Sequence, residues 1–595
     1  MTNNSWHLNK NSSLSCGRHE ASAEEVLQAL SENEGNAIRS SLPEIRFAKT
    51  KPLRVNIEFS GQFPNSIRAK VGVIKNNTFY PWTPKNDNLI INKTWHPVEP
   101  TSMKKITELL ESGTIKDETI SSSDYFSLFT DPEFNQLIRR VEEELHEENW
   151  ETDNFLNPPS SLKANLYPYQ LAGSSRLRKL AEGGLGCLLG DEMGLGKTIQ
   201  VITLMLALKE NEHGPLDPYS TMLVVAPSSL LLNWKKELEK FAPSLNSLIH
   251  AGPNRTGVQS GLTGHDVVIV SYETLLNDLA FFDDVAWKLV ALDEAQQIRN
   301  PDSRRAVAVK TLDRRISVAV TGTPVENTLG DLWSVAEFIL PPLLGARESF
   351  EELFPDEEIA AYHLGEVVSP IVIRRRVADV ATDLPEKIEF PTPLHLDPDD
   401  EEEHRRISDS GTAFETDMKL RVFCAHAGEI TDAEFRASPK VSHVLNVLEE
   451  IFQKNEKVLI FTTFKNTIFR LLDMISSSKD VYTGVIMGDV APEERHLTID
   501  EFEEYHGPGC LFLNPQAGGV GLNITAANHV IHFNPEYNPA VTSQATARSY
   551  RRGQSRPVFV HHLYYENSIE EKAMTIQRFK EDLAEGLDQG VSLDD

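Results

Sequence analysis

The sequence predicts an α/β protein with two doubly wound parallel-sheet domains in tandem behind an N-terminal α+β region. Two observations carry this reading. Short β-branched and apolar runs alternate with helical stretches in two separate series, the pattern of strands buried on both faces by crossover helices. The first run of the first series, "CLLGDEMGLGKT" from Cys187 to Thr198, leads through a glycine-rich loop into the helical stretch "TIQVITLMLALKE", the layout of a phosphate-binding turn.

In chain order, residues 1–160 are the accessory region. "RVNIEFSG" and "AKVGVIKNNTFYPW" read as β stretches, and the acidic segment from Asp131 to Glu148 reads as a helix. "NPPSS" at 157–161 reads as a linker because Pro and Ser clusters break both regular periods. Residues 161–345 form the first parallel-sheet domain, with strands in "CLLGD", "TMLVVAP", "DVVIVSY", "WKLVALDE" and "SVAVTGTP". Residues 346–438 form a helical and linking region that holds "VIRRRVADVATDLPEK" and the acidic "DPDDEEE" run. Residues 439–580 form the second domain, with strands in "KVLIFTTF", "YTGVIMGD", "GCLFLNPQAGG", "HVIHFNP" and "VFVHHLYYE". Residues 581–595 are the C-terminal tail. No short-period repeat interrupts the series.

A chain of 595 residues is long enough for two to four domains. Its net charge is −30, concentrated in Glu142–Glu151 and Asp397–His404, which read as solvated faces or linkers. Net charge governs solubility and long-range steering, so it neither supports nor excludes nucleic acid, whose phosphates need only a locally basic groove. The four cysteines, Cys16, Cys187, Cys424 and Cys510, are far apart and suggest neither a zinc site nor a disulfide framework. The polar opening segment has no secretory character, and the longest apolar runs are too short or interrupted to span a bilayer. The expectation is a soluble cytoplasmic protein, with no membrane partner.

The chemistry is densest at Gly194-Leu195-Gly196-Lys197-Thr198. Gly194 and Gly196 let backbone N–H groups approach a polyphosphate, Lys197 can pair with its terminal oxygens, and the Thr198 hydroxyl can ligate Mg²⁺. The strict Walker pattern fails, because Asp191 stands where its first glycine belongs. Backbone amides read the ligand, so the side chains of Asp191 and Glu192 can point away. Downstream, Asp293-Glu294 end an apolar strand. Asp293 can hold the metal and Glu294 can polarise an attacking water.

In the order they occur, "GDEMGLGKT", "DEAQ", "TGTPVEN…LWS" and "QATARSYRRGQ" resemble the motifs of superfamily-two helicase-like motors. More narrowly, they resemble the Swi/Snf family of ATP-dependent DNA translocases, in wording close to its bacterial branch. An acidic pair before M-G-L-G-K-T is typical of that family's loop. The resemblance covers Leu166 to about Lys572 and implies two RecA-like motor domains using ATP and Mg²⁺. It also implies double-stranded DNA as partner, with residues 1–160 available to a protein partner.

Residue by residue, the resemblance gives Gln170 of "NLYPYQ" the adenine edge. It gives Ser228 and Ser229, and less closely Ser271-Tyr272-Glu273, contacts to DNA phosphate; helix N-capping is the other reading of the serines. Thr321-Gly322-Thr323-Pro324 would link nucleotide state to domain closure, and Arg374–Arg376 would be a basic stretch with anionic partners. In the second domain, Thr463 would lie at a DNA-contacting strand end. Gly518 and Gly519 would lie between DNA and nucleotide, Gln544 would order the nucleotide, and Arg548 and Arg551 would be arginine fingers. Their spacing predicts one helical turn between the two arginines. The sequence departs from the family pattern at Gln516, at Ala547, and in Asn534-Pro535-Glu536-Tyr537-Asn538-Pro539, which bears on DNA grip and coupling rather than on the nucleotide groups.

The function implied is ATP-driven movement along duplex DNA that remodels or displaces a bound protein. A strand-separating helicase and a nucleotide-gated binding module of low turnover remain alternatives. RNA-polymerase recycling, repair and defence are all compatible contexts.

Overall fold

The computed structural model describes all residues except 1–5, 10–12, 18, 32–34, 49–50, 64–65, 77, 85, 122–123, 126–127, 129–131, 148–154, 211–217, 254, 342, 382–383, 410–412, 427–437, 476–479, 489, 491, 516–523 and 592–595. The chain divides into two units: residues 1–154 with 340–347, and residues 155–339 with 348–595.

The first unit is α+β. The antiparallel pair Val55–Phe63 and Ser66–Lys75 anchors its larger sheet, and a three-stranded sheet closes on buried Trp95, packed with Trp6, Leu14, Val26 and Ile38. One expectation fails here. The acidic stretch read as a helix is mostly the strand Ile138–Glu147, paired parallel to Val55–Phe63. Sheet pairing overrides the helical preference of a Glu-rich run, since β-propensity depends on context.

The second unit holds two parallel-sheet lobes. The first lobe's strands are β1 (Cys187–Leu189), β2 (Thr221–Ala226), β3 (Ser247–His250), β4 (Val267–Ser271), β5 (Trp287–Asp293), β6 (Arg314–Val320) and β7 (Val372–Ile373). They form a seven-stranded sheet in the order β3-β4-β2-β5-β6-β1-β7, parallel throughout. Every residue of β2 and β4 is buried, as strands covered on both faces by helices must be. Because β5, β6 and β1 are neighbours, their carboxyl ends open on one crevice, where ligands of such sheets bind.

The second lobe's strands are β8 (Lys387–Leu394), β9 (Lys457–Phe461), β10 (Tyr482–Ile486), β11 (Gly509–Leu513), β12 (His529–His532) and β13 (Val558–Tyr565), in the order β8-β13-β12-β9-β11-β10. These too are all parallel. The sequence pattern missed β3, β7 and β8. β8 carries Pro391 and Pro393 and is largely exposed, which is tolerable only on an edge strand.

Nine helices matter to the site and its support: α1 (Pro168–Glu182), α2 (Lys197–Glu210), α3 (Leu231–Phe241), α4 (Gly330–Ile339), α5 (Glu358–Val368), α6 (Ala413–Ala425), α7 (Pro439–Gln453), α8 (Pro539–Thr546) and α9 (Ile569–Val591). Helix α9 takes in much of 581–595 and crosses α5 at glycines. A Cβ on Gly590 would lie 2.0 Å from the Tyr362 carbonyl oxygen, and one on Gly365 2.4 Å from that of Leu587. No other residue permits backbones this close.

Candidate active site

The loop between β1 and α2 is shaped by its acids. Asp191 is fully buried, and Arg375 Nε donates to its Oδ1 at 2.8 Å while Gln200 Nε2 donates to its Oδ2 at 3.0 Å. Glu192 Oε2 accepts from the backbone N–H of Val377 at 2.6 Å. The acids therefore point away from the loop's inner face and tie it to the 374–377 segment. Arg374 adds a further tie: it donates to the Gly322 carbonyl at 2.8 Å and to the Gly190 carbonyl, and it pairs with Asp588 of α9 at 2.9 Å. Arg376 also pairs with Asp588, at 3.3 Å, so all three consecutive arginines have anionic partners within the protein.

Gly194 and Gly196 hold φ of +88° and +78°. A Cβ on Gly196 would fall 2.5 Å from Gln170 Nε2, so this turn needs glycine twice over. Gln170 braces the loop from α1: its Nε2 donates to the Leu195 carbonyl at 3.0 Å and its Oε1 accepts from Tyr167 N–H at 3.1 Å. Lys197 Nζ donates to the Asp191 carbonyl at 2.8 Å. Burial lowers its pKa, with nearby Asp191, Glu294 and Asp293 opposing that shift.

At the end of β5, Trp234 Nε1 donates to Asp293 Oδ2 at 2.7 Å, and the Glu294 N–H donates to Oδ1 at 3.0 Å. Burial, then the Glu294 charge, pushes the Asp293 carboxyl up to about 6. Glu294 sits at φ 49°, ψ 55°, a left-handed conformation that costs a non-glycine residue of order 1–3 kcal/mol and clusters at functional sites. From Glu294 a hydrogen-bond chain crosses to the second lobe. Gln296 Nε2 donates to Glu294 Oε2 at 2.6 Å, and Thr321 Oγ1 donates to Gln296 Oε1 at 2.8 Å. Thr323 N–H donates to Thr321 Oγ1 at 3.1 Å, Thr323 Oγ1 to Glu326 at 3.4 Å, and Asn538 Nδ2 to Glu326 at 3.3 Å.

The second lobe closes the site with a turn. The expectation of a helical turn between Arg548 and Arg551 fails, because α8 stops at Thr546. Side chains fix the turn instead. Ser549 Oγ donates to the Ala527 carbonyl at 2.5 Å, and Gln554 Nε2 donates to the carbonyls of Thr525 at 3.0 Å and Ala527 at 2.8 Å. Both arginines nonetheless face the loop. Burial lowers Arg548 to about 10 despite the opposing Glu294 charge, and a Cβ on Gly194 would meet Arg551 Cβ at 3.6 Å.

The outcome is one cavity of about 590 Å³, lined by Gln170, Gly194, Gly196, Lys197, Thr198, Asp293 and Glu294 from the first lobe and by Gln544, Ala547, Arg548 and Arg551 from the second. That volume suits a cofactor-sized ligand. Sequence reasoning missed Tyr167, Asn233, Glu237 and Phe241, which also line it. Proximity to Gln170 signals the first, and the i, i+4 spacing on α3 signals Asn233 and Glu237.

The candidate DNA-contacting residues lie elsewhere. Ser228 and Ser229 are exposed in a short 3-10 turn after β2. The Ser271 hydroxyl caps a helix, accepting from Thr274 N–H at 3.1 Å, and Thr463 Oγ1 donates to Glu536. Gly518, Gly519 and Gln516 fall outside the described residues. The departing residue Asn534 has a local role: Thr462 Oγ1 donates to its Oδ1 at 2.8 Å, and its Nδ2 donates to Glu570 at 2.9 Å.

A SNF2-related domain matches residues 169–455, and a helicase conserved C-terminal domain matches residues 440–553. The chain belongs to the Swi/Snf family. Within it, the chain is 33% identical over 462 residues to a putative ATP-dependent helicase/translocase, YwqA, of Bacillus subtilis, covering 72% of this chain and 49% of that protein. It is 32% identical over 489 residues to the Zorya protein ZorD of Escherichia coli, covering 71% of this chain and 44% of that one. Among solved structures, a Sulfolobus solfataricus SWI2/SNF2 ATPase core in complex with dsDNA is 31% identical, with 74% of this chain and 97% of that one covered at a TM-score of 0.40. The chain spans less than half the length of these two curated relatives. The two parallel-sheet lobes are accordingly the family's tandem RecA-like domains. Among the described residues, no helix is long and apolar enough to cross a membrane.

Proposed function

We propose that this chain is a DNA-stimulated ATPase that hydrolyses ATP between its lobes and translocates along double-stranded DNA, remodelling or displacing a bound protein. The observation that carries the reading is the one cavity walled by a phosphate loop and two acids from one lobe and two half-buried arginines from the other. Neither lobe alone holds both sets. Lys197 and the loop amides bind the triphosphate, Arg548 and Arg551 offset charge developing on the γ-phosphate, and Glu294 orients the water that attacks it. ADP and phosphate leave, and the charge that drew the arginines inward is gone.

The donor set fits Mg²⁺. Thr198 and Asp293 would hold it, and a raised carboxyl among like charges is one that a cation relieves. Bound there, the ion would neutralise phosphate charge. The hydrogen-bond chain from Glu294 to Asn538 supports coupling of hydrolysis to lobe movement. Exposed Ser228 and Ser229, with Thr463, Ser271 and Gly518, are the proposed DNA contacts. Residues 1–160 are proposed to meet a protein partner in the cytoplasm.

The test is steady-state ATPase activity without nucleic acid, then with duplex DNA, single-stranded DNA and RNA at one salt concentration, with Glu294→Gln as control. Stimulation by duplex DNA, lost in Glu294→Gln, is expected; a strand-separation assay should stay flat. Equal rates with and without every nucleic acid would contradict the translocase.

A further inference from the structure

The residue after the second finger, Arg552, is not among the residues that line the cavity. Its guanidinium carbon lies 3.5 Å from the centroid of the Tyr167 ring and 5.2 Å from that of Tyr169. The two tyrosine rings are stacked, 10° apart in plane with centroids separated by 6.0 Å. Tyr167 lines the cavity together with Ala164, Asn165, Gln170 and Phe241, and Gln170 is the residue to which the family resemblance gives the base edge. The neighbouring residues show that this is a built contact. Tyr550 packs with Tyr169, Leu195 and Val377, and Arg551 lies against Gly194. Three consecutive residues of the second lobe thus grip the first lobe, and Arg552 takes the two tyrosines. On the far side, the Tyr169 carbonyl accepts from Arg375 Nη1, and Arg375 holds Asp191 of the phosphate loop.

We propose that Arg552 is a positioning residue that fixes the Tyr167 wall of the base site from the second lobe, so that selectivity for the base is completed only when the lobes meet. The physical basis is a guanidinium over an aromatic face, attractive through the ring quadrupole and stronger when desolvated. Tyr167 is 46% exposed, and it opens the chain's entry into α1 as its N-cap. Without the cation the half-exposed ring keeps only its stack on Tyr169 to hold its angle. Arg552 is not among the residues that line the cavity with Lys197 and Thr198, so its loss should leave triphosphate binding intact and blunt discrimination between bases.

This rests on the ATPase reading. The experiment measures kcat and KM for ATP and for UTP in the full chain with duplex DNA, for wild type, Arg552→Ala, Tyr167→Ala, the double variant, and the conservative Arg552→Lys and Tyr167→Phe. Wild type is expected to prefer ATP. Arg552→Ala should raise the KM for ATP about five- to thirtyfold, the range of a contact of this strength, with kcat and the UTP constants changed less than threefold. The double variant should be no worse than the poorer single, as for two residues acting as one unit. Tyr167→Phe and Arg552→Lys should recover most of the preference. Losses that multiply in the double variant, or an equal fall for ATP and UTP, would overturn the inference while leaving the ATPase reading standing. A wild type that hydrolyses neither nucleotide would overturn both.

Discussion

The two lobes share a parallel-sheet architecture yet equip the site by different means. In the first lobe the chemistry sits on strand ends and is held by backbone: glycines at positive φ, a left-handed Glu294, and loop acids tied to Arg375 and Val377. In the second it is carried on a turn beyond α8, pinned by Ser549 and Gln554 to carbonyls of the preceding loop. Their interiors differ in the same sense. The first lobe's central strands β2 and β4 are apolar apart from Thr221 and Ser271 at their ends. The second buries Lys440 against Glu570, with Nζ to oxygen distances of 2.7 and 2.5 Å, and stacks His532 on His562. The first lobe is thus a preorganised binding half, whereas the second is a delivered half whose placement depends on polar staples.

The largest effect expected from breaking this division is on turnover. Arg548→Ala or Arg551→Ala should lower kcat by about 10³–10⁵, the range known for arginine fingers, while nucleotide affinity changes little. Comparable losses in both quantities would mean that the second lobe also serves ground-state binding.

Next is the buried pair. Lys440→Met leaves the Glu570 carboxylate, 3% exposed, without its cation and should destabilise the second lobe by roughly 3–5 kcal/mol. All seven tryptophans lie between residues 6 and 333, so tryptophan fluorescence is blind to that lobe. Hydrogen exchange at β9 and β12 reads it instead, and unchanged protection there would contradict the staple.

Acid comes third. Burial, then His529, His443 and His562, lowers His561 to about 4. Burial also lowers His529 despite its bond to Glu456, His532 beside His562, and His562 despite Glu389. Unfolded imidazoles titrate near 6.5, so as pH falls the unfolded chain takes up protons first. Second-lobe stability should be full above about pH 6.5 and decline toward pH 4. Denaturation followed by exchange at several pH values checks this, and an earlier acid loss in the first lobe would reverse the comparison.

The smallest effect comes from the exposed helix Pro398–Ser408. Arg406 pairs there with Glu402 at 2.6 Å, both side chains two-thirds exposed at 66%. Arg406→Ala should give no measurable melting shift, because a solvated i, i+4 pair contributes little.

The parallel strands, the phosphate loop and the acid pair were legible because burial on both faces writes β-branched runs and because turn chemistry demands glycine at fixed spacing. Less legible was whatever depends on distant partners. β8 reads as a proline-broken coil until β13 is beside it. The helix expected through Arg548 ends at Thr546, and the turn that follows is pinned by Gln554 to the distant carbonyls of Thr525 and Ala527. The destination of Asp191 could not be read locally, since Arg375 lies far along the chain.

One nucleotide should engage both lobes at once. Hydrogen exchange of Glu294→Gln protein with and without ATP tests it most directly. Added protection is expected both at residues 191–198 and at the turn 548–554, absent when Lys197→Ala is also present. Protection confined to the first lobe would contradict it.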